Sequence, residues 1–182
     1  MERLRTVYQQ ARPGLAQELK LSNIMAVPRL AKVVVNVGLN ELRHDPKKIE
    51  RVSRVLAIIT GQKPSLRRSK KAIASFKLRA QDPVGLALTL RGNRMYDFLE
   101  RFTRVVLPRV RDFRGLSPES LDECGNLTVG LKDLSVFPEI AYEDLDVARG
   151  LEVTIVLNTK TRQAGVLVFS ALGFPLQKAK VK

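Results

Sequence analysis

The chain has few of the residues on which disulfides, metal sites and acid–base catalysis depend. Its 182 residues include one cysteine, Cys124, one histidine, His44, and no tryptophan. A single cysteine excludes an internal disulfide and favours a reducing compartment. A zinc site needs several Cys and His ligands, and this sequence offers two candidates. We therefore expect a cytoplasmic protein with no bound metal and no cofactor.

Long apolar runs are missing as well. No stretch approaches the roughly 20 consecutive apolar residues that span a bilayer. The first 20 residues contain Glu2 and Glu18, so they do not match a secretory signal peptide. The sequence also lacks a long basic amphipathic helix with aromatic anchors. These observations predict no membrane partner.

Recognisable catalytic patterns are absent from the sequence, which has no Walker A motif and no GxGxxG fingerprint. Cys124 has no histidine, second cysteine or dense basic cluster beside it, which is typical of an inert thiol. His44 precedes a predicted helix, where a solvated histidine is the ordinary case. A divalent cation would suit the acids Glu143, Asp144 and Asp146, but a solvated helix face explains them better. We predict no catalytic residue.

Acidic residues are scarce in one part of the chain, where cations accumulate instead. No Asp or Glu occurs between Glu50 and Asp82, and residues 63–79, KPSLRRSKKAIASFKLR, carry seven cations in 17 residues. Such a field repels itself unless a polyanion neutralises it. Apolar residues, including Ile73 and Phe76, interrupt the charges, which indicates a projection of a folded domain rather than a tail. The pattern favours RNA or DNA as the partner.

The charge is unevenly distributed along the chain, whose formal net charge is +14. Residues 1–115 hold 25 Lys and Arg against 9 Asp and Glu, whereas residues 116–182 hold 7 against 9. We therefore expect the first two-thirds to meet the polyanion. The last third is expected to close the fold or to meet another partner.

Hydrophobic periodicity predicts an α+β fold. Helical spacing predicts helices over 3–20, 46–60, 94–107, 142–149 and 162–172. A kink or break is expected at Pro13 in the first helix, and Pro108 is expected to stop the third. Alternation predicts strands over 31–39, 62–68, 84–91, 126–131 and 151–158. This order favours a two-layer sandwich of a mostly antiparallel sheet with helices packed on one face. No repeat or linker is evident, so we predict one domain over 1–182 with a projecting basic loop at about 69–82.

The predicted sheet has one face that is poor in large apolar side chains. If the first three strands pair, this face gathers amide, hydroxyl and basic groups: Lys32, Asn36, Gln62, Lys63, Ser65, Thr89 and Arg91. Cations position phosphates, and short amides and hydroxyls bond ribose 2′-hydroxyls and base edges. The face lacks aromatic residues, which favours structured RNA over stacked single strands. Considered alone, Asn36 is better explained by a bulge and Thr89 by its preference for strands. Their position on the same face as Lys and Arg residues favours an RNA contact.

Several motifs resemble a known family, in the order in which that family has them. They are VPRLAKVVVNVGL at 27–39, TGQKPSLRRSKKAIASFKLR at 60–79, PVGLALTLRGNRMYDFLERF at 83–102, LPRVRDFRGL at 107–116, FPEI at 137–140 and LGFP at 172–175. Over about residues 3–178 the chain resembles the bacterial large-subunit ribosomal protein five, the family that binds 5S rRNA. The resemblance implies a structural role in attaching 5S rRNA to the central protuberance. It also implies contacts with 23S rRNA, P-site tRNA, other central-protuberance proteins and a small-subunit protein across an intersubunit bridge.

The resemblance assigns roles to particular positions. It implies rRNA contacts for Asn36 in VVVNVG, Gln62 in TGQKP and Thr89 in LTLRG. It implies a tRNA-facing loop that carries Lys70, Lys71, Lys77 and Arg79, for which an ordinary solvated loop is the alternative. We place the bridge in the turn that carries Arg109, Arg111 and Arg114. The chain departs from the family pattern at 80–82, at 121–127 and in its last helix, where Gly165 lowers helix propensity.

Two other functions are open at this point. A metal-dependent RNA-processing enzyme would need carboxylates that converge in the basic part, where Asp82, Asp97 and Asp112 are scattered. A DNA-compacting basic protein would prefer duplex DNA over 5S rRNA in competition.

Overall fold

The computed structural model describes residues 3–39, 42, 44–144 and 150–177, without the side chain of Tyr142. The predicted helix over 142–149 appears as a short 3₁₀ turn at Tyr142–Asp144, and its remainder lies outside the described residues. The basic tail with Lys178, Lys180 and Lys182 also lies outside them.

A five-stranded antiparallel sheet confirms the predicted α+β fold. Its strands are β1 (Leu30–Gly38), β2 (Ser65–Arg68), β3 (Pro83–Leu90), β4 (Leu127–Leu131) and β5 (Leu151–Leu157), in the order β2-β3-β1-β5-β4. Strand β5 shows the alternation most clearly, because Leu151, Val153, Ile155 and Leu157 are all buried. Period-two alternation places these residues on one face, as expected for a sheet with one face against a core.

The main helices are α1 (Leu4–Glu18), α2 (Pro46–Thr60), α3 (Gly92–Arg101) and α4 (Arg162–Ala171). The sequence signals at both ends of α2 are confirmed. The Asp45 carboxylate accepts hydrogen bonds from the backbone N–H groups of Lys47 at 3.0 Å and Lys48 at 3.3 Å. Gly61 ends the helix with φ 68°, the left-handed conformation that glycine adopts without steric cost.

Helix α1 continues through Pro13 without a break, one of the two interruptions expected there, and a kink stays a prediction. Proline removes one intrahelical hydrogen bond, and side chains on both sides of it anchor the helix. Tyr8 and Leu15 are buried, and the Tyr8 hydroxyl donates to the Pro28 carbonyl oxygen at 2.9 Å. Burial raises the pKa of Tyr8, and the nearby Arg12 partly offsets that effect.

The prediction that Pro108 stops the third helix is wrong. Helix α3 continues as a π-helical segment, Phe102–Val106, and then as one α-helical turn, Leu107–Arg109. Proline lacks an N–H group, and its ring collides with the carbonyl four residues earlier in a regular α-helix. A wider π turn accommodates it, and the burial of Phe102, Val106 and Leu107 keeps the segment against the core.

The chain divides into two compact units. The first comprises Met1–Val33, Arg91–Val129 and Thr154–Lys182, and the second comprises Val34–Leu90 and Gly130–Val153. In the first unit α1 packs against α3 and α4, and Phe98 stacks on Phe102 with ring centroids 5.9 Å apart. In the second unit α2 buries Val52, Val55, Leu56 and Ile59. A single domain over 1–182 stays a prediction.

Two glycines of the first unit approach each other without room for side chains. A Cβ added at Gly165, inside α4, would lie 2.6 Å from the Gly125 carbonyl oxygen and 2.7 Å from the Gly125 Cα. A Cβ added at Gly125 would lie 2.8 Å from the Thr161 carbonyl oxygen, and Gly125 has φ 78°. The loop before β4 therefore rests directly on the backbone of α4. Gly165 lowers helix propensity, but this contact requires it.

Among the described residues, no helix has both the length and the apolar character needed to cross a bilayer.

Candidate nucleic-acid interface

The outward side of the sheet in the second unit is polar. We call it the open face and define it by the strand residues Val34, Asn36, Ser65, Arg67, Ala87, Thr89 and Glu152. These residues are exposed or half-buried, while their neighbours Val35, Val37, Leu86 and Leu88 are buried. In the β2–β3 ladder, Ser65 pairs with Ala87 and Arg67 with Gly85, so all four lie on this side. The open face thus has few large apolar groups to bury.

Asn36 occupies a defined position on the open face. Its Nδ2 donates to the Glu152 carboxylate at 3.4 Å. On the other side, a Cβ added at Gly85 would lie 3.7 Å from the Asn36 Oδ1 and only 2.9 Å from the Val37 carbonyl oxygen. Gly85 therefore permits the close approach of β3 to β1. It also leaves open the space beside the Asn36 oxygen.

Gln62 is held by its own side chain and by the end of α2. Its Nε2 donates to the Thr89 carbonyl oxygen at 3.4 Å, and its backbone N–H donates to the Thr60 Oγ1 at 3.4 Å. Thr60 is buried, and its hydroxyl lies 2.6 Å from the Leu56 carbonyl oxygen. The Gln62 Oε1 remains available as an acceptor. Thr60 thus links the core of the second unit to a predicted RNA contact.

Replacing Thr60 by valine is expected to lower the free energy of unfolding by about 1–2 kcal/mol, because Val keeps the shape but removes the hydroxyl that bonds Leu56 and Gln62. Urea denaturation followed by circular dichroism measures the change. Thr6→Val on the exposed side of α1 is the matched control and should alter the free energy of unfolding by less than about 0.5 kcal/mol. Equal effects of the two variants would show that the buried hydroxyl does not hold the end of α2.

The remaining predicted rRNA residues differ in what they offer. The Ser65 Oγ donates to the Ala87 carbonyl oxygen at 2.9 Å. Its hydroxyl proton is therefore engaged within the protein, and its lone pairs can accept hydrogen bonds from RNA. Lys63 is exposed beside Gln62. Lys32, half-buried on β1, and Arg91, exposed after β3, belong to the first unit. The second unit therefore brings together Asn36, Gln62, Lys63, Ser65 and Thr89.

The predicted basic loop is a hydrogen-bonded projection. The Ser69 N–H donates to the Asp82 carbonyl oxygen at 2.8 Å, and the N–H of Gln81 donates to the Ser69 carbonyl oxygen at 2.9 Å. Ile73 and Leu78 exchange backbone hydrogen bonds of 2.9 and 3.1 Å further out. Around these two closures lie exposed cations: Lys70, Lys71, Lys77 and Arg79. The loop thus presents its charges from a backbone with internal support.

The segment at 80–82, predicted above to depart from the family pattern, closes this loop. The Asp82 carboxylate accepts a hydrogen bond from the Arg79 backbone N–H at 2.8 Å. Gln81 has φ 72°, a conformation that favours glycine. A glycine-containing segment would suit this position for that reason. The acid at the end of the loop has a structural partner in the backbone.

A cleft lies beside the basic loop in the second unit. Its volume is about 660 Å³, and its lining includes His44, Lys77, Arg79 and Asp82. Phe76, at the outer part of the same loop, is 67 % exposed. The loop therefore offers both cations and an accessible aromatic ring to a partner.

The arginine turn after α3 is exposed and internally braced. Arg109, Arg111 and Arg114 are all exposed. The Gln177 Nε2 donates to the carbonyl oxygens of Arg114 at 3.2 Å and Gly115 at 3.1 Å. Gln177 thus braces the end of the turn, next to Arg114, within the first unit.

Three residues of these surfaces are not among the RNA contacts predicted from the sequence. Arg67 and Glu152 lie on the open face, and Phe76 is exposed on the basic loop. Alternation in 151–158 places Glu152 opposite the buried residues, and that signal is sufficient to find it. Glu152 is unexpected on this surface, because the RNA-binding face is predicted from its cations and amides.

Within the residues that the structure describes, no three Asp, Glu, Cys or His side chains cluster closely enough to hold a metal ion. Cys124 is exposed.

Comparisons with known proteins cover nearly the whole chain. The family described as ribosomal protein L5 matches residues 23–79, and the family described as the C-terminus of this ribosomal protein matches residues 83–176. The large ribosomal subunit protein uL5 of Thermus aquaticus is 48% identical over 171 residues, which are 94% of each chain. The uL5 of Chloroflexus aggregans is 49% identical over 170 residues, 93% of this chain and 94% of the relative. The uL5 of Thermus thermophilus is 45% identical over 174 residues, 96% of each chain.

Proposed function

Because this chain belongs to the ribosomal protein L5 family, we propose that it binds 5S rRNA through the open face and helps to attach it to the central protuberance. The chain is a structural protein of the large ribosomal subunit and not an enzyme. Its place of action is the ribosome in the cytoplasm. In this proposal the chain acts as one domain.

One observation carries the proposal of a specific RNA contact. Asn36 and Gln62, polar residues of the kind that recognise RNA edges, are oriented by bonds to Glu152 and to the Thr89 carbonyl oxygen. Preorganised donors and acceptors lose little conformational freedom on binding. Lys63 and Arg67, both exposed nearby in sequence, supply charge for phosphates. Lys32 and Arg91 are also proposed to contact rRNA phosphates.

Cross-linking tests where 5S rRNA binds. In a Cys124→Ser background, Ala87→Cys places a photoreactive label in the centre of the open face. We expect this label to cross-link to 5S rRNA. The wild-type protein, labelled at the exposed Cys124, is the comparison. Cross-links from Cys124 with none from the Ala87→Cys variant would contradict the proposed site.

The basic loop is proposed to contact P-site tRNA through Lys70, Lys71, Lys77 and Arg79. Its support is the row of exposed cations on a hydrogen-bonded projection. The exposed Phe76 ring adds a surface on which an unpaired base can stack. The cleft beside the loop, with a volume of about 660 Å³, is lined by Lys77 and Arg79.

The double variant Lys70→Ala/Lys71→Ala is expected to separate the two RNA contacts. Affinity for 5S rRNA should stay within about twofold, because the open face is unchanged. Binding of tRNA to large subunits reconstituted with the variant should weaken about tenfold, because two phosphate contacts are lost. Filter binding measures both affinities. A large loss of affinity for 5S rRNA with unchanged tRNA binding would contradict the proposal, because it would assign 5S rRNA and not tRNA to the basic loop.

Further contacts are proposed for the remaining basic surfaces. The turn with Arg109, Arg111 and Arg114 is proposed to meet a small-subunit protein at an intersubunit bridge. Arg side chains suit carboxylate partners because the guanidinium fork binds them through two parallel hydrogen bonds. Contacts with 23S rRNA and with other proteins of the central protuberance complete the proposal.

A further inference from the structure

Glu152 is the single acidic residue of the open face, and its position is unexpected for a surface that meets RNA. It lies on β5 between Leu151 and Val153, which are buried, so its side chain points outward. A carboxylate repels phosphate, and a surface that only collected phosphates would gain from its removal. Its presence therefore needs another explanation.

The contact between Glu152 and Asn36 supplies that explanation. The Asn36 Nδ2 donates to the Glu152 Oε2 at 3.4 Å, which fixes the orientation of the Asn amide because its oxygen would be repelled there. The Asn36 Oδ1 then faces the side of Gly85, which has no side chain to cover it. One of the two N–H donors of Asn36 is engaged by Glu152. Asn36 therefore presents its Oδ1 as an acceptor with one remaining donor, and the carboxylate presents further acceptors. We call Asn36 and Glu152 the acceptor pair.

We infer that Glu152 is a specificity-determining residue, and that the acceptor pair selects an RNA edge rich in hydrogen-bond donors. Such donors include the amino groups of cytosine and adenine, the amino and imino groups of guanine, the imino group of uracil, and ribose 2′-hydroxyls. A phosphate has no donor and is rejected by the same carboxylate. This inference rests on the proposed binding of RNA to the open face.

The two roles of Glu152 predict opposite signs for the same substitution. If the carboxylate accepts hydrogen bonds from bases, Glu152→Ala should weaken binding of 5S rRNA about tenfold. Affinity for an unrelated RNA of equal length should stay equal or rise, because a negative charge has gone. If Glu152 only repels RNA, both affinities should rise together.

Two further variants isolate the chemistry. Glu50→Ala, on the exposed side of α2, removes the same charge away from the open face and should leave the ratio of 5S to unrelated RNA unchanged. Glu152→Gln removes the charge but keeps an acceptor oxygen, so it should bind 5S rRNA more tightly than Glu152→Ala does. Thermal unfolding of each variant confirms that the fold is intact before binding is compared.

Filter binding at fixed salt decides the matter. A lower 5S affinity for Glu152→Ala, with unrelated RNA unaffected or tighter, supports the acceptor pair. Tighter binding of both RNAs, or equal behaviour of Glu152→Gln and Glu152→Ala, overturns it. If the wild-type protein itself binds both RNAs equally, the proposed function fails and the inference fails with it. The ratio of the wild-type affinities for 5S rRNA and unrelated RNA thus distinguishes a failure of the proposed function from a failure of the inference about Glu152 alone.

Discussion

Gly165→Ala is expected to lower the free energy of unfolding by about 3 kcal/mol, because overpacking against backbone atoms forces the structure to shift. The new Cβ would lie 2.6 Å from the Gly125 carbonyl oxygen and 2.7 Å from the Gly125 Cα. Neither atom belongs to a flexible side chain that could turn aside. The loop before β4 would have to leave α4, and the contact that positions it would be lost.

The matched control is Gly14→Ala. Gly14 also lies inside a helix of the first unit, but nothing stands within 4 Å of a Cβ added there. Alanine favours the helix by about 0.5–1 kcal/mol relative to glycine, so this variant should be slightly more stable than the wild type. Urea denaturation compares the two. If Gly165→Ala is as stable as Gly14→Ala, helix propensity and not the Gly125 contact governs the site.

The double variant Asn36→Ala/Thr89→Val is expected to lower the affinity for 5S rRNA about 100-fold, since two edge contacts are each worth about 1–2 kcal/mol. Asn36 is exposed and Thr89 half-buried, and Val retains the β-branched shape of Thr. The fold should therefore tolerate both changes. Isothermal titration at fixed salt provides the affinity, and thermal unfolding checks stability.

The dependence on salt concentration separates this loss from a loss of charge. Neither Asn36 nor Thr89 carries charge, so the slope of log affinity against log salt should not change. Lys63→Ala is the comparison, because removing one phosphate contact should reduce that slope by about one unit. An affinity of the double variant within a factor of two of the wild type would remove Asn36 and Thr89 from the interface.

Local signals in the sequence are sufficient for much of the fold. Asp45 and Gly61 mark the ends of α2 through capping chemistry that depends on neighbouring residues alone. Alternation identifies β5 along its whole length and β3 over residues 86–90, because one side of each meets the core. For the same reason the polar side of each strand can be predicted, but a shared polar face follows only if the strands pair.

Features that depend on distant residues are not predictable from local patterns. Pro13 and Pro108 do not end their helices, because buried side chains outweigh one lost hydrogen bond. Tyr8 and Leu15 lie on either side of Pro13, whereas Val106 and Leu107 precede Pro108. In the sequence Gly165 indicates only a weaker helix, since its partner Gly125 is 40 residues away. Alternation places Glu152 on the polar side of β5, but its hydrogen bond to Asn36 on another strand leaves no local signal in the sequence.

The central claim is that the open face recognises 5S rRNA specifically. The most direct test is the ratio of affinities of the wild-type protein for 5S rRNA and for an unrelated RNA of equal length, at physiological salt. We predict a preference of about 1,000-fold for 5S rRNA, the lower range for specific nucleic-acid recognition. Equal affinities would contradict the claim, because they would show that charge alone binds the RNA.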